Sequence, residues 1–348
     1  MADVKSLTRT KKRMKDNTPV LGAIDIGGTK IASGLVSTSG RLLFQAHLET
    51  PEAGGIEAAE AVVSLVLQLQ AEARKRQLEV GAIGLCVPGL VNPASGLVWA
   101  PNIKDWKDFR LLPYLQKKLD CPFSAVSDRT AYVEGEAWRG AARGKKNVIY
   151  LAVGTGIGAG IIVDGRVIHG QSDLAGAAGW QALNPEFKPA YKKTGCFEAE
   201  AGGRALYQQS KEFIRQHPEL FSRQQRCQFE PAKNPVEVLC EAARAGQPEA
   251  VKIVSKIQNF LAMGVANLVS LFNPEMIVLG GGLFKSADLF FEPVKKNFKL
   301  WAQPLAAKEV EIVLSSLGQE AALLGCARLV LSLLDDHEQV GEDRKRKK

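Results

Sequence analysis

The sequence predicts an α/β chain built from two similar halves that face each other across a cleft, and three observations carry that prediction. Three apolar runs of strand length each end in a glycine-rich turn. Val20–Ile24 leads into Asp25-Ile26-Gly27-Gly28-Thr29-Lys30, Val148–Val153 into Gly154-Thr155-Gly156-Ile157-Gly158-Ala159-Gly160, and Met276–Leu279 into Gly280-Gly281-Gly282. The strand–turn–strand–turn–strand order that opens the chain restarts at Val148, with Gly28 answering to Gly156 and Leu35 to Val163 at an offset of 128. A repeat of this period means two similar half-molecules rather than a solenoid. Ligands of α/β sheets lie beyond the carboxyl ends of strands, which is where all three turns fall.

The elements follow in order. Leu21–Ile24, Ile31–Val36 and Leu42–Leu48 read as strands joined by Gly-Gly-Thr and Thr38-Ser39-Gly40 turns. From Ile56 to Arg76 the apolar residues Val62, Leu65, Val66 and Leu69 fall at i, i+3, i+4 and i+7, the period of a helix with one buried face. Val80–Val87 reads as a strand stopped by Pro88-Gly89, Leu111–Leu119 as a helix, and Phe123–Val126 as a strand leading to Ser127-Asp128, with a helix directly after it over Ala131–Ala142. In the second half, Val148–Val153, Gly160–Val163 and Arg166–His169 are strands, and Phe197–His217, Pro235–Ala245 and Pro248–Phe272 are helices. Asn273-Pro274 ends the last of these, because the residue before a proline is pushed out of helical conformation. Glu311–Ser315 reads as a further strand, and Glu320–Leu334 as an apolar terminal helix folded back on the first half.

With 348 residues, 46% hydrophobic and 24% charged, the chain is an ordinary soluble composition long enough for two cores. No apolar run approaches the length of a membrane span, and the charged stretch Met1–Asn17 does not read as a secretory signal. Six scattered cysteines without a C-x-x-C pair favour reduced thiols and a cytoplasmic location. The net charge of +8 is partly carried by residues 1–16, which hold six Lys/Arg against two Asp. The tail ends in Arg344-Lys345-Arg346-Lys347-Lys348; with no aromatic residue interleaved, it reads as a solvated end rather than a specific nucleic-acid contact.

Glycine turns let backbone N–H groups face an anion without interference from Cβ, and three of them around one carboxylate point to phosphoryl transfer. Asp25 is either a turn residue or a Mg²⁺ site, held directly or through water. Lys30 faces either phosphate or solvent, while Thr29 and Thr155 offer hydroxyls as well as N–H groups. Asp128 is either the general base or the N-cap of the helix that follows, two roles that are compatible. Gly154–Gly160 overlaps a dinucleotide fingerprint, but a strand follows it where that motif requires a helix. His47, His169, His217 and His337 have no Cys or Asp at ligand spacing.

These residues resemble the ROK family (repressor, open reading frame, kinase) of actin-like sugar kinases over roughly Leu21 to Leu334. The resemblance is carried by Asp25–Lys30, Val87-Pro88-Gly89, Ala100–Ile103, Asp128 followed by Glu136, Gly154–Gly158, Asp164-Gly165, Gly195–Glu198, Asn273-Pro274-Glu275, Gly280–Gly282 and Glu320–Gly325. It implies an actin-like (ribonuclease H-like) duplicated two-domain fold. The small domain would be 19–126 with 319–334 and the large one 127–318, between a disordered basic head (1–18) and a disordered charged tail (335–348). It implies ATP-dependent, Mg²⁺-requiring phosphorylation of a hexose or amino sugar, glucokinase-like, by a homodimer. Asp128 would be the base. Asp25, Gly27, Gly28, Thr29, Lys30, Gly154, Thr155 and Gly156 would hold phosphates, with Gly280, Gly281 and Gly282 near the α-phosphate and adenosine. Asn102, Ser127, Asp128, Trp180 and Glu198 would line the sugar site.

The departures fall on the sugar and zinc elements. Ser127 stands where the family has an asparagine, and Gly176-Ala177-Ala178-Gly179-Trp180 stands where it has Gly-Glu-x-Gly-His. Of four expected zinc ligands only Cys196 is present, so no zinc is expected. Two readings follow: a sugar kinase with altered specificity, or a sugar- or nucleotide-binding protein with little turnover. A DNA-binding repressor is not expected, since only about twenty residues precede the first strand, and polyphosphate stands as an alternative donor.

Overall fold

The computed structural model describes residues 19–92, 94–218 and 234–346, so the expected basic head lies outside the described residues. Two five-stranded sheets share one plan. The first runs β3 (Leu42–Glu49), β2 (Lys30–Ser37), β1 (Pro19–Ile26), β4 (Glu79–Val87) and β7 (Phe123–Ser127), while β5 (Leu90–Val91) and β6 (Val98–Trp99) form a separate small hairpin. The second runs β10 (Arg166–Val167), β9 (Ile157–Val163), β8 (Val148–Val153), β11 (Met276–Gly280) and β12 (Glu311–Leu314). In both, three antiparallel strands are followed by two parallel ones. The duplication read at an offset of 128 is therefore a duplication of topology.

Each sheet is covered on both faces, which is why its central strands are apolar runs and not alternating ones. Helix α1 (Gly55–Lys75) lays Val62, Leu65, Val66 and Leu69 against Ile24, Ile26, Ile83 and Leu85, and the short α2 (Leu111–Lys118) adds Leu111 and Leu115 to the same core. The helix Pro248–Phe272 covers one face of the second sheet with Leu261, Val265, Leu268 and Val269 against Ile149, Leu151, Ile277 and Leu279. Its end is set by Asn273, left-handed at φ 44°, as the Asn273-Pro274 pair predicted.

The remaining two faces are covered by exchange. Helix α3 (Asp128–Arg139) leaves the end of the first sheet and packs Val133 against Val148, Tyr150 and Ile162 of the second. The terminal helix Glu320–Arg346 leaves the second sheet and packs Ala322, Leu323, Cys326 and Val330 against Leu21, Ala23, Ala82 and Cys86 of the first. These two topologically equivalent helices cross in backbone contact. A Cβ on Gly135 would lie 2.1 Å from the Ala321 carbonyl oxygen, and one on Gly325 would lie 1.8 Å from that of Ala131. Only glycine permits that approach at the two positions. Past the expected end at Leu334, the terminal helix runs through most of the stretch expected as a disordered tail.

Two expectations are corrected where they touch the site. Asp128 is the first residue of α3 and not its cap; Ser127 occupies the cap position, and its side chain makes no capping hydrogen bond. The single helix expected over Phe197–His217 is two, Cys196–Ala201 and Gly203–Gln216, preceded by a short helix Tyr191–Thr194. The chain breaks at Gly202 because the second helix starts against the glycine turn of β8, where Gly203 and Arg204 donate their N–H groups to the carbonyls of Gly154 and Thr155 at 2.8 and 3.1 Å.

Candidate active site

The carboxyl ends of β1, β4 and β7 in one sheet and of β8 and β11 in the other open on a single cleft of about 870 Å³. Its walls include Asp25, Gly27, Gly28 and Lys30 from the first turn, Gly154, Thr155 and Gly156 from the second, and Gly280, Gly281 and Gly282 from the third. Asn102, Asp128 and Glu198 line it as well.

Each turn is held from behind. In the first, Gly27 N–H donates to the Lys30 carbonyl (2.9 Å), while Thr50 clamps the turn by donating its hydroxyl to Gly27 O (2.7 Å) and its N–H to Thr29 O (3.0 Å). A Cβ on Gly28 would lie 3.1 Å from the Asn102 carbonyl oxygen, so this glycine lets the turn and the Asn102 loop meet. In the second turn, Gly154 N–H donates to Gly156 O (2.9 Å), and Ile157 N–H donates to Glu198 Oε2 (2.8 Å). In the third, Gly281 is left-handed at φ 96°, and a Cβ on Gly280 would lie 1.9 Å from the Tyr150 hydroxyl oxygen. By contrast, a Cβ on Gly282 or Gly154 meets nothing within 4 Å. At these two positions the protein itself does not demand glycine, and what a side chain would invade is the open cleft.

Asp128 directly follows β7 and begins α3, so its carboxylate stands at a strand end and is fixed by a hydrogen bond from Arg129 N–H to Oδ1 (2.8 Å). Burial raises its pKa to about 6, against the lowering effect of that hydrogen bond; the negative charge of Asp25 adds to the rise. Burial also raises the Asp25 carboxyl, which accepts a hydrogen bond from the Cys86 thiol (3.2 Å). A carboxylate poised near neutrality suits a general base. Glu198 is pushed up by burial too, opposed by the Ile157 N–H.

Three expected site residues lie elsewhere. Ser127 is fully buried, and its hydroxyl pairs with that of Thr130 at 3.1 Å, so it is not available to a sugar. Thr29 is exposed outside the lining and serves the turn through its carbonyl. Trp180 is 58% exposed and outside the cleft lining, so it neither faces the cleft nor fills a gap in the core. The indole sits at the end of a short 3-10 turn, Ala178–Trp180, whose Gly179 carries the close contact to Glu198 instead.

Other residues enter the cleft without having been singled out: Arg129, Gln45, Tyr132, Tyr150, Phe284, Lys285 and Gln319. Arg129 and Lys285 had a signal, standing beside Asp128 and just after Gly282; the two tyrosines, stacked at 5.2 Å, come together only through the exchange of α3. Where zinc ligands were missing, Glu200 is buried under Lys188, Tyr191 and Lys256, the last at 2.8 Å. Burial would raise the Glu200 carboxyl, but these hydrogen bonds outweigh it and hold it at about 2. Among the described residues, no group of three or more His, Cys, Asp or Glu is arranged to hold a metal ion. Magnesium asks for less, one or two carboxylates with substrate phosphates and water, and Asp25 in the cleft wall fits that mode. None of the described helices is long and apolar enough to cross a membrane.

Comparison with known proteins agrees with this geometry. The family model described as "ROK family" matches residues 21–332. The chain is 30% identical to a glucokinase of Halalkalibacterium halodurans over 315 residues, covering 88% of this chain and 93% of that one. Among solved structures, a ROK hexokinase from Thermus thermophilus superposes with a TM-score of 0.76 at 30% identity, covering 91% of this chain and 99% of that one. A ROK family glucokinase from Streptomyces griseus, in complex with glucose and AMPPNP, gives 0.72 at 29% identity, covering 89% and 98%. The fold is thus the duplicated actin-like one with an interdomain cleft, and the chain belongs to the ROK family.

Proposed function

We propose that the protein is an ATP-dependent kinase that phosphorylates a sugar hydroxyl, with Asp128 as the general base. The observation that carries this reading is the convergence of three glycine turns on one cleft around a carboxylate raised to about 6. The Asp128 carboxylate accepts the hydroxyl proton as that oxygen bonds to the γ-phosphorus; the bond from the γ-phosphorus to its bridging oxygen breaks, and ADP leaves with the electron pair. The turns at Gly27–Gly28 and Gly154–Gly156 hold the phosphates through backbone N–H groups, with Lys30 beside them and Gly280–Gly282 toward the α-phosphate and adenosine. Asn102 and Glu198 take sugar hydroxyls. Magnesium, when bound with the phosphates, neutralises their charge, and Asp25 is the carboxylate placed to hold it.

The bodies 19–126 with 319–334 and 127–318 close on the substrates and exclude water, which limits wasteful ATP hydrolysis. Zinc has no part in this reading, because the segment from Lys188 to Glu200 is held by the buried Glu200 network. The test is a panel of hexoses and amino sugars with ATP and Mg²⁺, followed by ADP release. Turnover with one of them supports the kinase. Saturable sugar or ATP binding without turnover favours a binding protein, and neither binding nor turnover sinks the reading.

A further inference from the structure

Arg129 is a cleft cation to which the kinase reading gives no role. It follows the proposed base directly and lines the cleft, yet among the described residues its guanidinium makes a single hydrogen bond, from Nη2 to the Asp173 carbonyl oxygen at 2.7 Å. Among the described residues it forms no ion pair with a carboxylate, in contrast to Arg76, Arg215 and Arg244, each of which holds one. The carboxylates around it are already engaged. Asp173 turns its side chain to His169 Nδ1 (2.8 Å), Glu198 accepts from Ile157 N–H, and Asp128 accepts from the Arg129 backbone. The wall beyond Asp173, Leu174–Trp180, contains no ionisable side chain. The Arg129 charge is felt by Asp128 without an ion pair between them, and a partly buried guanidinium with one neutral hydrogen-bond partner retains donors to offer a ligand.

The sheet order says which end of the cleft this charge serves. In the second sheet the strands run β10-β9-β8-β11-β12. Gly280–Gly282 leaves β11 and the turn Gly154–Gly156 leaves β8, so the nucleotide runs from β11 towards β8. Arg129 lies on the other side. Its Cδ is 3.7 Å from where a Cβ of Gly158 in β9 would stand, and its bonding partner Asp173 is in the loop after β10. Along the second sheet the order is therefore Gly280–Gly282, then the Gly154–Gly156 turn, then Arg129 beside β9 and the loop after β10.

We propose that the acceptor is a sugar derivative bearing a carboxylate, whose negative charge is met by Arg129. The inference rests on the kinase reading and names its substrate class. Without such a cation, an anionic acceptor next to Asp128 and Glu198 would be repelled. With it, the carboxylate gains a charge-assisted hydrogen bond that neutral sugars do not make. Arg129 is a specificity residue here: the proton still goes to Asp128, and the transferred group still passes from ATP to a hydroxyl.

The experiment compares D-glucuronate and D-gluconate with D-glucose and D-glucosamine. ADP release is measured with ATP and Mg²⁺, and calorimetric binding of each sugar is measured without nucleotide. The wild type is expected to favour an acid. Arg129→Gln should raise KM and Kd for that acid roughly 10- to 100-fold and change the weak values for glucose by much less, and Arg129→Lys should recover part of the loss. Equal or better use of neutral sugars by the wild type overturns the proposal. So does an Arg129→Gln variant that loses kcat for every acceptor alike, which would put the guanidinium on the transferring phosphoryl group. A variant with a lower Tm and an unchanged acceptor preference makes Arg129 a strut for the Asp173 loop, and that also overturns it. If no acceptor, charged or neutral, is bound or phosphorylated, the kinase reading itself fails, a result distinct from turnover of neutral sugars alone.

Discussion

Replacing Asp128 by Asn tests the proposed chemistry most directly, because it keeps the shape and removes the proton acceptor. The carboxylate sits at about pKa 6, chiefly through burial. As a base it works only when ionised. On that value it is about nine-tenths ionised at pH 7 and a little under one-tenth at pH 5, so wild-type kcat/KM should fall roughly tenfold between them. Because kcat/KM reports the free enzyme, its midpoint should lie near 6. Asp128→Asn should lower kcat by roughly 10²–10⁴-fold and abolish this acid limb, with ATP binding retained. The assay is direct chromatographic quantification of ADP from pH 5 to 8 with the best acceptor, which avoids pH-sensitive coupling enzymes. Near-normal turnover in Asp128→Asn, or a wild-type limb that survives in the variant, would show that another group takes the proton and that Asp128 only begins α3.

Further outcomes follow from packing and charge. In an ordinary helix Gly→Ala is favourable by about 1 kcal/mol, but Gly325→Ala places a Cβ 1.8 Å from a backbone oxygen of α3, and overpacking costs about 1–3 kcal/mol. Urea denaturation should therefore find the variant destabilised, and a stabilised one would refute the helix crossing. Gly281→Ala should destabilise through its φ of 96° and its contact with Val153 O, whereas Gly282→Ala should keep the wild-type Tm and raise KM for ATP; an unchanged KM would remove Gly282 from the nucleotide site. The Glu200 carboxyl is held at about 2 against an ordinary 4.5, so its stabilisation is complete above about pH 4.5 and is lost as pH falls toward 2. Glu200→Gln should lower Tm at pH 7 and flatten its pH dependence between those limits in differential scanning fluorimetry; parallel curves for the two proteins would show that the network carries no such linkage.

The sequence by itself determined whatever local pattern encodes. Continuous apolar runs ended by abrupt glycines identify β1, β8 and β11 with their turns, because each strand–turn unit is specified within about ten neighbouring residues. The repeat then implied one cleft between two equivalent halves, and Asp128 at a strand end implied a carboxylate in it. Tertiary structure decided which side each residue shows. Ser127 and Asp128 are adjacent, yet the strand end buries one hydroxyl against Thr130 and aims the next carboxylate into the cleft; a change of direction at a single residue leaves no periodic trace. Trp180 matched a family position in order but stands in solvent, since the loop that carries it is anchored through glycines rather than through its ring. The break at Gly202 interrupts a helical apolar pattern, because the reward for it, two N–H groups on the turn at Gly154 and Thr155, comes from a segment nearly fifty residues away. The crossing of α3 with the terminal helix, and the placing of the Arg129 guanidinium beside Gly158 and Asp173, depend on contacts between segments far apart in the chain. Such contacts are made by shape and distance, and only folding brings the two sides together.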